Sequence, residues 1–189
     1  MGIATPNRQP GSAHCIELNL RAADQLFNTM DPSPFHEKDL DGDAEEFILG
    51  WAREFPLAAS VRLLVHLREW PKEGDVQSVV TAAVHHHFAN RARLNHLEFR
   101  HLMRDGRWSL AVGLMFLAAC LVAGEALLGH QPGTLANVLR ESLTIGGWVA
   151  MWRPMEIYLY EWWPLRRRGR FYQKLSQMPV EVRRVTEEA

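Results

Sequence analysis

The hydrophobic pattern changes period along the chain. In residues 14–20, HCIELNL, Ile16, Leu18 and Leu20 alternate with Glu17 and Asn19, as in a half-buried strand. Residues 60–67, SVRLLVHL, repeat this with Val61, Leu63, Val65 and Leu67. Between them Phe47, Ile48, Trp51 and Phe55 recur at helical spacing and stop at Pro56. Asp41 or Asp43 can cap that helix, with Glu45 and Glu46 in its first turn. Strand, helix and strand predict a βαβ unit with a right-handed crossover. A short helix over 22–29 packs Leu26 and Phe27, and Pro32 and Pro34 mark a turn, as do residues 70–74. Two strands leave edges unpaired, so either neighbouring helices cover them or the sheet continues in a second copy of the chain.

From Asp75 the period becomes helical. Val79, Val80, Ala83, Val84, Phe88, Leu94, Leu97 and Leu102 form a stripe, and no proline follows until Pro132. One helix of about 80 Å is predicted, with Gly106 its weak point. Its later part loses all periodicity. Residues 108–129, WSLAVGLMFLAACLVAGEALLG, hold one ionisable side chain, Glu125. That run is about 33 Å long, enough to cross a bilayer core. A second apolar stretch, 142–165, contains Arg153, Pro154, Glu156 and Glu161. Either it crosses with Arg153 near mid-membrane, or Pro154 ends the crossing. In the second case the span begins near Leu135, and Tyr158, Tyr160, Trp162 and Trp163 form an interfacial aromatic belt.

Basic residues set the orientation. Arg91, Arg93, Arg100, Arg104 and Arg107 precede the first span, and Arg166, Arg167, Arg168, Arg170 and Lys174 follow the second. The connector has only Arg140, beside Glu141. This predicts a multi-pass protein of a bacterial inner membrane with both termini cytoplasmic. The expected class is α+β: a small βαβ cytoplasmic domain joined by a long helix to a two-helix transmembrane hairpin. Its parts are a flexible leader (1–13), an α/β domain (14–74), a juxtamembrane helix (75–107), a first span (108–129), an external loop (130–141), a second span (142–165) and a basic tail (166–189).

Composition adds little to this picture. Net charge is -1, so nothing argues for nucleic acid. Cys15 and Cys120 are the two cysteines. Cys120 lies in the apolar run, so both are expected as free thiols in a reducing setting. The leader is polar and has no secretory core.

The candidate chemistry is an intramembrane charge cluster of Arg153, Glu156 and Glu125. A charge at mid-membrane needs a partner. Glu156 is three residues on and shares a helix face with Arg153, whereas Glu125 lies about 10 Å away along the axis of an antiparallel pair. Such a cluster reads either as an ion or proton path or as a structural pair. DLDGDAEE, 39–46, fails as a calcium loop, because its sixth and twelfth positions are Ala44 and Gly50. His85, His86 and His87 point around the helix, and with His96 and His101 they read as a polar side. No metal or cofactor is expected. Ala119, Cys120, Ala123 and Gly124 on the first span, with Gly146, Gly147 and Ala150 on the second, permit close helix contact. No catalytic motif is present.

The strings LFNTMDPSPFHEKDLDGDAEEFILGWARE (26–54) and RPMEIYLYEWWPLRRRGRFYQKLSQMPV (153–180) resemble the uncharacterised two-span proteins of bacterial inner membranes. That resemblance implies the hairpin and the location but brings no site residues. WRPME (152–156) is faintly similar to the W-D-x-x-E-P signature of the mitochondrial calcium uniporter family. It departs at Arg153 and Ile157, and no roles carry over. The expected partners are the lipid bilayer, a further copy in a homo-oligomer, and an unidentified protein. The leading functional expectation is a membrane-anchored interaction or scaffold protein. A small oligomeric channel or transporter is the alternative, and a membrane-associated enzyme is least favoured.

Overall fold

Three parallel strands, β1 (His14–Leu20), β2 (Val61–Leu67) and β3 (Val180–Arg184), pair in the order β1-β2-β3. The computed structural model describes residues 14–28, 39–70, 75–128 and 133–185. The leader and the turns expected at 31–35 and 71–74 lie outside the described residues. Ile16 pairs with Leu63, and Leu63 with Val180, so the apolar positions stay in register across the sheet. β2 is central and the most apolar strand, with Leu63, Val65 and Leu67 fully buried. Its neighbours alternate, and Glu17, Asn19, Arg62, Glu181 and Arg183 fall on the other face.

β3 comes from the stretch read as a basic tail. The edge left open on β2 is therefore filled by this chain's own strand, and β1 stays at the edge of the sheet. The outer edge of β3 is also occupied. The Gln77 side-chain amide donates to Val180 O and accepts from Val182 N, both at 2.7 Å, as a residue of a fourth strand would.

Among the described residues there are five α-helices, one 3-10 turn and one π-helical turn. α1 (Gly42–Glu54) is capped by Asp41, whose carboxylate accepts the Asp43 N–H at 3.0 Å. The expected short helix at 22–29 is a 3-10 turn, Ala23–Leu26, with Leu26 and Phe27 buried. α2 (Val76–Leu128) is a single helix that passes through Gly106 unbroken. α3 (Thr134–Ala150) ends at Met151. α4 (Trp152–Glu156), a π-helical turn (Ile157–Glu161) and α5 (Trp162–Leu175) complete the chain's return. The second apolar stretch is thus not one uninterrupted helix over 142–165. It begins earlier, at Thr134, within the expected loop, and it is re-phased next to Pro154, which cannot donate to the ladder.

The chain divides into two units, residues 1–94 with 168–189, and residues 95–167. In the first, Ile48, Leu49 and Ala52 of α1, Val80, Ala83, Val84 and Phe88 of α2, and Phe171 and Leu175 of α5 join the sheet in one hydrophobic core. The second unit comes entirely from the crossover between β2 and β3. In it α2 and the returning segment run antiparallel. A Cβ placed on Gly113 would meet Ala150 O and Met151 Sδ, and one on Gly147 would lie 2.7 Å from Leu117 Cδ1 and 3.4 Å from Cys120 Cβ. Gly106 faces Ile157 and Tyr158, and Gly124 faces Arg140. Gly106, Gly113 and Cys120 recur every seven residues, so small side chains hold one narrow contact stripe. Of the small residues read from sequence, Cys120, Gly124, Gly147 and Ala150 lie at the contact. Ala119 is exposed, and Gly146 would meet nothing.

Candidate functional site

The buried stripes of α1 and α2 carry polar residues where core residues belong. On α1, Glu45 precedes Ile48, Leu49 and Ala52 at spacings of three, four and seven, and is 8% exposed. On α2, His87 and Arg91 continue the run of Val80, Ala83 and Val84, and His87 is 2% exposed. A buried carboxylate needs cationic or hydrogen-bonding partners. The Arg91 guanidinium supplies them, with Nε 3.0 Å from Glu45 Oε2 and Nη2 donating to the same oxygen. The Tyr172 hydroxyl of α5 reaches Glu45 Oε1 at 3.4 Å. Burial, and then the Glu45 charge, hold the Tyr172 phenol above its ordinary range. One carboxylate thus ties α1 to α2 and α5.

His87 faces two incompatible demands. The Leu40 N–H donates to Nδ1 at 3.2 Å, which requires a lone pair there and places the ring hydrogen on Nε2. Asp39 Oδ1 lies 3.0 Å from the same Nδ1 and requires a hydrogen on it. Nε2 stands 3.3 Å from Glu45 Oε2 but makes no hydrogen bond. Neutral imidazole satisfies Leu40, whereas imidazolium turns an N–H toward each carboxylate. Phe88 closes edge-on over the ring at 5.3 Å between centroids. The cluster fastens three helices, α1, α2 and α5.

The charge cluster expected on the second span divides. Arg153 binds Glu156 at 3.0 Å, as its spacing predicted, and also Glu161. Glu161 is eight residues on, and the intervening π-helical turn shortens the path. Glu125 does not join them, since it pairs with Arg140 at 2.8 Å. Tyr158, Tyr160 and Trp163 are exposed, while Trp162 packs edge-on with Trp163 and lies under Arg166 at 5.9 Å. His85, assigned to a polar helix side, instead contacts Met178 O at 2.8 Å just before β3.

An exposed groove of about 470 Å³ runs along α1, lined by Asp43, Glu46, Phe47, Gly50, Trp51 and Glu54. Phe47 and Trp51 stand one turn apart there, with ring centroids 6.1 Å from each other. No family model, curated protein or solved structure matches the chain.

Proposed function

We propose that the chain is a membrane-anchored interaction protein of a bacterial inner membrane. Residues 95–167 form its two-span anchor, and the sheet-containing unit lies on the cytoplasmic side. The observation that carries this reading is the inverted burial of residues 95–167. Gly106, Gly113, Gly124 and Gly147 face inward, while Val112, Met115, Phe116, Val122, Ile145, Trp148 and Val149 are each more than half exposed. A continuous apolar surface of this kind matches lipid, and water does not solvate it well.

One helix, α2, has the length and hydropathy of a span. The topology supports a second crossing. The chain leaves the first unit after Leu94 and re-enters it at Arg168. A bilayer cannot pass through a hydrogen-bonded sheet, so the segment between makes an even number of crossings. The Gly113–Met151 contact brings Arg153 within one turn of the level of Trp108, which supports reading it as an inner-boundary residue that two carboxylates pair with. The interaction role rests on the α1 groove, whose aromatic pair and three carboxylates suit a basic partner segment.

The test is cysteine accessibility in intact cells, in a chain with Cys15→Ser and Cys120→Ala. Thr134→Cys reacts with a membrane-impermeant maleimide from outside, and Ser78→Cys reacts only after permeabilisation. Equal labelling at both positions rules out the two-span anchor. Salt flux in proteoliposomes that disappears with Arg153→Ala replaces the interaction role with transport.

A further inference from the structure

Arg100, Arg104 and Arg107 differ from the arginines paired elsewhere in the chain. Arg21, Arg91, Arg140, Arg153 and Arg183 each hold a carboxylate. Among the described residues these three hold none. Arg104 donates to His101 Nδ1 at 3.1 Å, which fixes its guanidinium and leaves its remaining N–H groups free. With Leu97 they line a groove of about 240 Å³ that contains no carboxylate. Glu98 and Asp105 lie on the neighbouring strip of the helix.

We propose that Arg100, His101, Arg104 and Arg107 bind the phosphate of an anionic phospholipid at the inner leaflet. The proposal rests on the membrane reading above. Arg100, Arg104 and Arg107 stand four and three residues apart on one face, a ladder of about 10 Å along the axis. A headgroup layer is of that order of thickness.

Two observations set the depth. Gly106 contacts Tyr158, so the aromatic residues of the returning segment stand level with the ladder. Trp108, directly after Arg107, is 69% exposed and begins the apolar surface continued by Val112 and Met115. A lipid with its phosphate on the guanidiniums therefore lays its acyl chains along that surface. Guanidinium groups chelate phosphate oxygens in a bidentate fashion, and three of them favour a charged headgroup over a zwitterionic one.

The experiment uses the full chain reconstituted in nanodiscs of equimolar phosphatidylglycerol and phosphatidylcholine. Lipids retained after delipidation in mild detergent are then counted by native mass spectrometry. Wild type is expected to retain phosphatidylglycerol with roughly tenfold preference at low salt, less at high salt. The R100Q/R104Q/R107Q variant is expected to retain both lipids equally, and R53Q/R62Q to behave as wild type. Competition by glycerol phosphate at millimolar concentration would assign the site to free phosphate esters and overturn the lipid assignment.

Equal retention by wild type and the triple variant overturns the site while leaving the anchor intact. If alkaline carbonate extracts the wild-type protein from membranes, the anchor fails and the site fails with it. A folding defect in the triple variant shows in its melting temperature, and the single R104Q variant, expected to lose about half of the preference, then decides.

Discussion

Gln77 accepts the Val182 N–H at 2.7 Å and so occupies the outer edge of the last strand. Its amide nitrogen satisfies Val180 O at the same time. Gln77→Ala leaves the Val182 N–H and the Val180 carbonyl, both on buried residues, without this partner, at about 1–3 kcal/mol. Gln77→Glu keeps the acceptor but sets an anion against Val180 O, so it should not rescue. Hydrogen exchange of residues 180–184 is the measurement. Exchange should accelerate in both variants while β1 stays protected, and unchanged exchange would show that the side chain is not holding the edge.

Alkaline pH should loosen the same unit. Tyr172 and Cys15 both have raised ionisation, chiefly through burial, from ordinary values of 10.0 and 9.0. A raised acid binds its proton more tightly in the folded state. The stability it contributes is complete below the unfolded value and disappears as pH climbs through the folded one. Lys174, lowered by burial, works in the opposite sense in the same range and weakens the effect. Melting temperature should fall between about pH 9 and 11, and Tyr172→Phe should flatten the part above pH 10. A variant curve parallel to wild type in that window would remove Tyr172 from the account.

Gly147 and Gly146 make a matched pair. A methyl group on Gly147 would sit 2.7 Å from Leu117 Cδ1 and 3.3 Å from Leu117 Cα, whereas one on Gly146 meets nothing within 4 Å. Gly147→Ala should cost about 1–3 kcal/mol by forcing the helices apart. Gly146→Ala should be neutral or stabilising by up to about 1 kcal/mol, through helix propensity. Melting in detergent separates them, and the reverse order would mean a different face makes the contact.

The strands β1 and β2 were legible because Ile16, Leu18 and Leu20, and Val61, Leu63, Val65 and Leu67, recur at every second position, and α1 because Asp41 and Pro56 bracket it. β3 carries the same signal in Val180-Glu181-Val182 after Pro179, but five residues with two arginines look like a tail until a partner strand is known. The Glu45–His87–Arg91–Tyr172 cluster was missed for a related reason. Glu45 and His87 read as surface by residue type, and only their places on buried stripes, counted from Ile48 and Val84, put them inside. The Arg153–Glu156 pair followed from spacing alone. The Arg153–Glu161 contact did not, because no residue pattern announces a π-helical turn.

The second unit is an insertion between two adjacent strands, and this fixes an order of events during synthesis. β2 leaves the ribosome more than a hundred residues before β3, a gap of the order of ten seconds. The sheet, the Gln77 clasp and the Tyr172–Glu45 bond all wait for residues after 167. Completion of the sheet-containing unit thus follows synthesis of the helices of the second unit. On the proposed membrane reading, a chain whose helices failed to insert would present an unfinished sheet to proteolysis, so the folded unit would record correct insertion.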